Sequence, residues 1–590
     1  MICYVNPRFN AGLIRIQQTH NIIGEIMNKT YGPQLAISQE IGQEKHYPLE
    51  NHEQASWRWA TALCDGEDHK ERLFDMFHSQ RVLLAGRVQR AAGHFDKVTA
   101  FNCFVSGDIH DSMRDIMQKN LEAALTMQKG GGIGYNFGTL RPKGAKVIKT
   151  GSHSSGPMSF MEVFNSTCST VASAGDRRGA QMAVMPIWHP DIKEFIHAKA
   201  NNDVLRFFNT SVGITDQFMN AVINDEQFSL VWEDEIWEVV NARDLWDDIM
   251  QMTWDWAEPG VLFIDRINKM NNLWYAETIS ATNPCGEQPL PPYGACLLAS
   301  INWVKYLIPD DTVYRFEMHK LLQDIPDLVR ALDNVIDRTI YPLPEQEREA
   351  KQKRRMGIGC TGVANTLEAL GFPYGSPKSA EWLDKILHAQ VNVIYLSSVH
   401  LAMEKGSFPL FDKEKYLQGN FIKSLEPHIQ QYIREYGIRN SHLTSIAPTG
   451  TISLAADNVS SGLEPPFQYS FVRKIVDGRN FREELVTDYA YRELGIRGRT
   501  ADDLSPEEHV RMLSVAQRLT DSAVSKTCNI GPNVTFDEFK EVYMQAYRSG
   551  AKGCTTFRSA GKRFGILTTS MEDEPESCTF DPATGQKTCE

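Results

Sequence analysis

The alternation of apolar and polar positions predicts a long series of helices and strands. Over residues 53–92, apolar side chains recur every three or four positions, which predicts helices. Residues 98–105 (VTAFNCFV) are rich in β-branched and aromatic side chains and predict a strand. Residues 111–129 open on an Asp-Ser pair, which is typical of a helix cap, and predict a helix. Similar pieces alternate to about residue 470, so the pattern favours one large α/β body.

Three later segments have patterns of their own. Residues 130–149 predict a glycine-rich turn, a strand and a basic loop, and residues 159–172 predict a helix. Another helix is predicted to begin near Pro326, because proline suits a first helical turn and an apolar stripe follows it. The stripe consists of Leu328, Leu332, Val335 and Ile336.

The two ends of the chain differ from this body. The first 50 or so residues are polar and predict no definite structure. From about Thr568 the chain is acidic and poor in large apolar residues, which predicts a flexible tail. We therefore divide the chain into a mostly helical N-terminal region (1–95), a central body (96–567) and a tail (568–590).

Composition and charge exclude several classes of protein. Of the 590 residues, 42% are hydrophobic and 23% are charged, so the chain can bury a large core. A net charge of −13 argues against a protein that grips nucleic acid by general basicity. No uncharged stretch is apolar enough to span a membrane, and the opening MICYVNPRFN lacks the features of a secretory signal. We expect a cytoplasmic protein.

The cysteines and the common motifs narrow the chemistry. The 11 cysteines are an odd number, thinly spread and without a CxxC pair, so they are not a disulfide framework or a zinc ribbon. The sequence contains no phosphate-binding GxxxxGK[ST], no complete GxGxxG and no HExxH. We predict no bound metal of the zinc-hydrolase type.

The most informative segment is residues 281–302, ATNPCGEQPLPPYGACLLASIN. If its first part is extended, the two-residue period puts Asn283, Cys285 and Glu287 on one face. A thiol between an amide and a carboxylate can carry out redox and proton-transfer chemistry. The other interpretation, a turn that holds a buried cysteine, has about equal weight on these residues alone.

NPCGE followed by GACLLASIN resembles the finger loop of ribonucleotide reductases, and the resemblance extends from about residue 75 over nearly the whole chain. Further blocks of the family follow in the expected order: AFNCFV, GGGIGYNFGTLRPKGA, TGSHSSGPMSFMEVFN, DRRGAQMAVMPIWHPDI, RRMGIGCTGVAN, SIAPTGTIS and SSGLEPPF. The resemblance implies a ten-stranded α/β barrel of two five-stranded halves, with the finger loop threaded through its centre.

The resemblance also implies roles for the cysteines. Cys285 would carry the thiyl radical that abstracts the ribose 3′ hydrogen, with Asn283 and Glu287 holding and deprotonating the 3′ hydroxyl. Cys103 and Cys296 would form the dithiol that supplies the electrons. Because these two sulfurs must come within bonding distance, we expect their Cα atoms to lie about 4.4–6.8 Å apart.

The same family order points to residues that bind the ribonucleotide substrate. Residues 447–453 (APTGTIS) offer backbone N–H groups and hydroxyls suited to a diphosphate, although a Pro-Thr-Gly turn by itself is usually only a turn. The predicted substrate-binding residues are Asn102, Ser155, Gly156, Pro448, Thr449, Gly450, Thr451 and Ser453.

The source of the radical is predicted from the segment KGCTTFR, residues 552–558. Oxygen-dependent large subunits carry two adjacent tyrosines near this place, and this segment has none. It resembles the adenosylcobalamin-dependent class, while the glycyl-radical class is disfavoured by the lack of its C-terminal motif. We therefore expect adenosylcobalamin as cofactor and ribonucleoside diphosphates as substrates. The rivals are an oxygen-dependent large subunit and a non-catalytic nucleotide-binding regulator.

Two sets of residues are predicted to serve the reaction from outside its centre. Cys578 and Cys589 would shuttle reducing equivalents from thioredoxin or glutaredoxin, unless they are incidental cysteines on a tail. Residues 172–182 would pass the identity of a dNTP or ATP effector to the substrate, and a homodimer is expected because such sites often lie at a dimer interface. The N-terminal ATP cone is not recognisable. The predicted effector residues, which could equally be ordinary loop residues, are Asp111, Ser112, Arg141, Lys143 and Arg178.

Overall fold

The computed structural model describes residues 31–148, 151–171, 180–200, 204–311, 313–477 and 480–558, with two short strands near the C-terminus. The helices are α1 Ala36–Ile41, α2 His52–Leu63, α3 Glu67–His78, α4 Gly86–Ala91, α5 Met113–Gln128, α6 Pro157–Thr170, α7 Ile192–Ile196, α8 Asp216–Asn224, α9 Ala242–Trp256, α10 Ile264–Lys269, α11 Met318–Arg338, α12 Pro344–Lys353, α13 Val363–Ala369, α14 Pro377–Lys405, α15 Lys413–Tyr416, α16 Asn420–Lys423, α17 Pro427–Tyr436, α18 Gly450–Leu454, α19 Tyr489–Glu493, α20 Pro506–Arg518 and α21 Phe536–Ser549.

The strands are β1 Val82–Leu84, β2 Cys103–Val105, β3 Gly132–Asn136, β4 Lys146–Val147, β5 Ser152–His153, β6 Gln181–Pro186, β7 Phe208–Ile214, β8 Gln227–Trp232, β9 Glu235–Asn241, β10 Gly260–Phe263, β11 Ala281–Thr282, β12 Pro289–Leu290, β13 Leu298–Asn302, β14 Leu307–Asp310, β15 Val313–Phe316, β16 Gly357–Thr361, β17 Ser470–Asp477, β18 Asn480–Thr487, β19 Thr527–Ile530, β20 Gly553–Arg558, β21 Thr579–Phe580 and β22 Lys587–Thr588. A π-helical turn, Gly42–His46, follows α1 directly.

The largest sheet in the described part of the chain has seven strands in the order β19-β20-β10-β7-β6-β3-β2. The five strands from β2 to β10 are parallel to their neighbours, β20 is antiparallel to β10, and β19 is parallel to β20. A second sheet has the order β1-β13-β16. The predicted α/β class is therefore confirmed. The described strands do not form a closed sheet, so the ten-stranded barrel is not confirmed.

Single bridges connect the two sheets and the loops between them. Phe104 of β2 bridges to Ala295, Ile358 of β16 bridges to Thr444, and Ile446 bridges to Val524 just before β19. Since Cys103 lies in β2 and Cys296 follows Ala295, the first bridge brings the two predicted redox cysteines to the same place.

Two local predictions are wrong. Within residues 53–92, Val82–Leu84 is a strand rather than helix, because all three residues are buried and pair with β13. A short apolar run cannot be assigned by periodicity alone. The helix expected to begin near Pro326 begins eight residues earlier, at Met318, and Pro326 lies inside it. Proline removes one backbone hydrogen bond there, and the buried apolar stripe on both sides of Pro326 compensates through packing.

The other helix predictions agree with the structure to within two residues. Residues 111–129 contain α5, which is capped by Ser112, and residues 159–172 overlap α6. One described helix, Pro377–Lys405, is long and apolar enough to cross a bilayer, but 61% of its most apolar window is buried inside the protein. That burial is typical of a core helix, and it packs along α11.

Candidate active site

The finger loop is a narrow hairpin whose two short strands are β11 and β12. At its tip, the Asn283 N–H donates to the Gln288 carbonyl at 3.1 Å, and the Gly286 N–H donates to the Asn283 carbonyl at 3.1 Å. Gly286 has a φ of 83°, which favours glycine over any residue with a Cβ. The NPCGE sequence therefore makes a tight turn that presents Cys285 at its tip.

Glycines in β3 allow the finger loop to lie directly against the sheet. A Cβ on Gly134 would lie 1.9 Å from the Thr282 carbonyl oxygen, and one on Gly132 would lie 3.2 Å from the Cys103 sulfur. Neither place has room for a larger residue. The glycine-rich run predicted as a turn is thus mainly a strand that holds the loop close to Cys103.

The three finger-loop residues are buried to different degrees. Asn283 is fully buried, Glu287 is 3% exposed and Cys285 is half-buried. The Asn283 Oδ1 accepts the Gln288 N–H at 3.0 Å, while its Nδ2 has no hydrogen-bond partner among the described residues. A buried amide with an unused donor can hold a substrate hydroxyl.

Cys103 and Cys296 are adjacent, as predicted. The Cys296 N–H donates to the Cys103 carbonyl at 2.9 Å, both cysteines are buried, and neither is in a disulfide. Burial, together with the neighbouring Cys103 thiol and the nearby Glu287 and Cys285, raises the pKa of Cys296 well above its ordinary value. Cys296 is therefore a protonated thiol at neutral pH, beside the finger loop.

A small cavity, here called the inner cavity, connects several of these residues. Glu287 and Asn102 line it together with Ser300 of β13. Thr449 and Thr451 line it from residues 447–453, the predicted phosphate-binding segment, here called the phosphate loop. The structure thus brings the finger loop and the phosphate loop, which are far apart in the sequence, to one cavity.

The phosphate loop is held by a buried hydroxyl network. The Thr449 Oγ1 lies 2.8 Å from the Ser453 Oγ, and Thr361 Oγ1 lies 2.9 Å from both. The Gly462 N–H donates to Thr449 Oγ1 at 2.6 Å. These hydroxyls fix the loop from behind, which leaves the backbone N–H groups after Pro448, at Gly450 and Thr451, as the candidate phosphate donors.

A second space, here called the outer cleft, lies at Cys285 and is larger than the inner cavity. Strand β20 lines it with Gly553, Cys554 and Thr555, and Ala523 and Gly260 add small residues to its wall. None of its described lining residues is histidine.

The remaining predicted residues are more dispersed. Ser155 is exposed and Gly156 precedes α6, and neither lines the two cavities. Asp111 forms an ion pair with Arg141, while the Lys143 ammonium lies 3.2 Å from Glu194. The Ser112 Oγ accepts the Asp115 N–H at 3.3 Å. Arg178, Cys578 and Cys589 lie outside the described residues.

Sequence reasoning missed two residues near the site, of which Asn209 contacts the finger loop directly. The Asn209 Nδ2 donates to the Pro284 carbonyl at 3.0 Å, next to Cys285. Burial lowers the pKa of Lys552 to about 8, and its ammonium donates to the Asp521 carbonyl at 2.5 Å. No local spacing connects Asn209 with the loop, whereas Lys552 opens the KGCTTFR block and could have been flagged there.

The fold and the site define an α/β protein with a reactive thiol on a central loop and a dithiol beside it. Residues 101–557 match the ribonucleotide reductase barrel domain. The chain is 36% identical over 505 residues to a vitamin B12-dependent ribonucleoside-diphosphate reductase of Mycobacterium tuberculosis, covering 80% of this chain and 69% of that relative. A protein of the same name from Thermoplasma acidophilum is 35% identical over 506 residues, covering 80% of this chain and 63% of the relative. The chain belongs to the ribonucleotide reductase family.

Proposed function

We propose that this protein reduces ribonucleoside diphosphates to 2′-deoxyribonucleoside diphosphates with adenosylcobalamin as cofactor. One observation carries the proposal: the half-buried Cys285 lines the outer cleft, and Glu287, two residues further along the same loop, lines the inner cavity together with the phosphate loop. The names of the relatives from Mycobacterium tuberculosis and Thermoplasma acidophilum, vitamin B12-dependent ribonucleoside-diphosphate reductases, agree with this substrate and cofactor.

The outer cleft fits the cofactor. Small residues of β20 and β10, among them Gly553, Thr555 and Gly260, would lie against a broad planar group. When bound, adenosylcobalamin would supply, by cobalt–carbon homolysis, a radical that takes the hydrogen atom of the Cys285 thiol. The absence of a tyrosine pair in β20 supports the adenosylcobalamin-dependent class.

The chain's own residues carry out the reduction. The Cys285 sulfur takes the hydrogen atom from C3′ of the ribose, Asn283 holds the 3′ hydroxyl and the Glu287 carboxylate accepts its proton. The 2′ hydroxyl leaves as water. Cys103 and Cys296 supply two electrons and two hydrogens and become a disulfide, and Cys285 returns the hydrogen atom to C3′. Ribonucleotide and dithiol thus give deoxyribonucleotide, disulfide and water.

We place the substrate in the inner cavity. Its ribose would lie at Glu287 and Asn102, which line the cavity, and its diphosphate at the N–H groups of Gly450 and Thr451 at the start of α18. The buried network of Thr361, Thr449 and Ser453 stabilises the loop in this shape before substrate binds. Such preorganisation reduces the entropic cost of binding.

The disulfide formed in each turnover has to be reduced again. Cys578 and Cys589 take this role in our proposal, passing electrons from thioredoxin or glutaredoxin by thiol–disulfide exchange. The expected location is the cytoplasm, where such reductants keep thiols reduced.

A homodimer and an effector site are also part of the proposal. Helix α5 carries an exposed apolar stripe in which Met113, Met117, Leu121 and Leu125 are 61%, 47%, 51% and 42% exposed. A stripe at four-residue spacing favours packing against a second helix. The ion pair of Asp111 and Arg141 lies at the start of this helix and is the proposed dNTP or ATP site.

The strand pairing supports a ten-stranded barrel. The five parallel strands β2, β3, β6, β7 and β10 would form one half, and β13, β16, the segment at Thr444, β19 and β20 would form the other. The bridge Phe104–Ala295 and the antiparallel pair of β10 and β20 lie where the halves would meet, and the bridge Ile446–Val524 joins two members of the second half.

The test is deoxynucleotide formation by the purified chain without air. The assay contains adenosylcobalamin, dithiothreitol and a ribonucleoside di- or triphosphate, and product is separated by chromatography. We expect product only with the cofactor, and more from diphosphates than from triphosphates. Activity that requires an added iron- or manganese-bearing subunit instead would assign the chain to the oxygen-dependent class.

A further inference from the structure

The segment 31–47 is fixed behind the phosphate loop. The Asp457 Oδ1 accepts the N–H groups of Gln34 and Leu35 at 2.7 and 2.9 Å, and the Ser38 Oγ donates to the Leu454 carbonyl at 2.6 Å. Ile37 and Ile41 of α1 pack against Leu454 and Ala455. Helix α1 therefore lies directly on α18, the short helix that begins at the phosphate loop.

The π-helical turn after α1 carries His46 into the inner cavity. His46 is 1% exposed and lines this cavity with Thr449, Thr451 and Glu287. A Cβ on Gly86 would lie 3.1 Å from the His46 Nε2, so the glycine leaves room for the ring. The next residue, Tyr47, lines a small neighbouring cavity together with Ile452 of α18. His46 thus lines the same cavity as the phosphate loop.

The inner cavity has few groups that can balance the negative charge of its proposed ligand, a diphosphate. Among the described residues that line it, His46 is the one whose side chain can become positively charged, and Glu287 is the one that can become negative. The N–H groups of Gly450 and Thr451 are neutral donors. A diphosphate carries several negative charges, and a charge-assisted hydrogen bond to it is about twice as strong as a neutral one.

We propose that His46 is a substrate-binding residue whose ring N–H donates to the terminal phosphate of the nucleoside diphosphate in the inner cavity. This inference deepens the proposed function, because it names the group that recognises the phosphate of that substrate. It also gives the N-terminal region a part in the active site, since α1 and the turn Gly42–His46 deliver this side chain.

The test compares His46→Gln and His46→Phe with the wild type. Binding of CDP and of cytidine is measured by equilibrium dialysis without adenosylcobalamin, so that no turnover is needed. We expect the Kd for CDP to rise about 10- to 100-fold in His46→Phe and less in His46→Gln, which keeps one donor. The Kd for cytidine should stay within twofold, because cytidine has no phosphate.

His52→Gln is the matched control. His52 lies in the same N-terminal region, where its Nε2 contacts the His78 carbonyl at 3.2 Å, and it does not line the inner cavity. This variant should bind CDP like the wild type. Adenosylcobalamin binding at the outer cleft, measured for every variant, reports whether each protein is folded.

Two results would overturn the inference: an unchanged Kd for CDP in His46→Phe, or an equal loss of CDP and cytidine binding in a folded variant. A different result would refute the proposed function. If the wild type binds CDP but forms no deoxynucleotide, the proposed function is wrong while the effect of His46 on phosphate binding still stands. In active protein, steady-state kinetics should show the loss in KM for CDP with kcat within about twofold.

Discussion

The inner cavity and the outer cleft share one wall, the finger loop, but differ in size and lining. The inner cavity is the smaller space, and Asn102, Glu287 and Thr451 are polar residues in a lining that also contains Leu298 and Ile452. The outer cleft is larger, and it has the charged residues Glu258 and Lys526 beside small ones such as Gly553. In our proposal the inner cavity binds the substrate and the outer cleft binds the cofactor. Cys285 lines the outer cleft at the tip of the loop that separates the two spaces.

Removing that cysteine should have the largest effect. Cys285→Ala is expected to lower turnover by about 10⁴-fold or more, because no other sulfur lies at the tip of the finger loop to carry the radical. Deoxynucleotide formation measures this, and the Kd values for CDP and adenosylcobalamin should stay within twofold. Cys64→Ala, another half-buried cysteine, is the control and should be fully active. Appreciable multiple turnover by Cys285→Ala would refute the radical assignment.

Removing one cysteine of the dithiol should lower turnover without changing cobalamin binding. In Cys296→Ser no disulfide can form with Cys103, so we expect multiple turnover to fall at least about 100-fold while cobalamin binding is unchanged. Rapid-quench analysis of product per enzyme molecule measures it. Cys360→Ser, which replaces a buried cysteine of β16 away from both cavities, should keep its activity. Normal multiple turnover by Cys296→Ser would remove the dithiol from the mechanism.

A bulky side chain in the outer cleft should show that the two spaces bind different ligands. Thr555 is exposed in the cleft, so Thr555→Trp is expected to weaken adenosylcobalamin binding about 10- to 100-fold through steric overlap. Binding of CDP, measured in the same preparation, should not change. The opposite pattern is expected for Thr451→Val, with CDP about fivefold weaker and cobalamin unaffected. Parallel losses of both ligands in either variant would mean that the two spaces are not separate sites.

A further prediction concerns the reductant. With Cys578 and Cys589 both changed to Ser, steady-state turnover with thioredoxin should fall about tenfold, because the buried dithiol is inaccessible to a protein. Turnover with dithiothreitol should be retained, since a small thiol can reach a buried disulfide that a protein cannot. Full activity with thioredoxin would show that the tail is not the shuttle.

The sequence predicted the residues of the finger loop better than the helices and long-range contacts around them. The turn at Gly286 and the neighbouring Asn283 and Glu287 are local features, and strand pairing at Ala295 brings Cys296 to Cys103. The start of α11 was misplaced because Pro326 is tolerated inside a helix whose buried stripe packs well. Asn209 and His46 were missed because they reach the site only through long-range packing.

The most direct test of the account is rapid-freeze electron paramagnetic resonance of the protein mixed with adenosylcobalamin and CDP. We predict a cobalt(II) signal coupled to a sulfur radical, formed within the turnover time. Labelling the protein with β-deuterated cysteine should narrow this signal, and Cys285→Ala should abolish it. A signal that survives in Cys285→Ala and does not respond to deuterated cysteine would contradict the assignment of Cys285 as the radical centre.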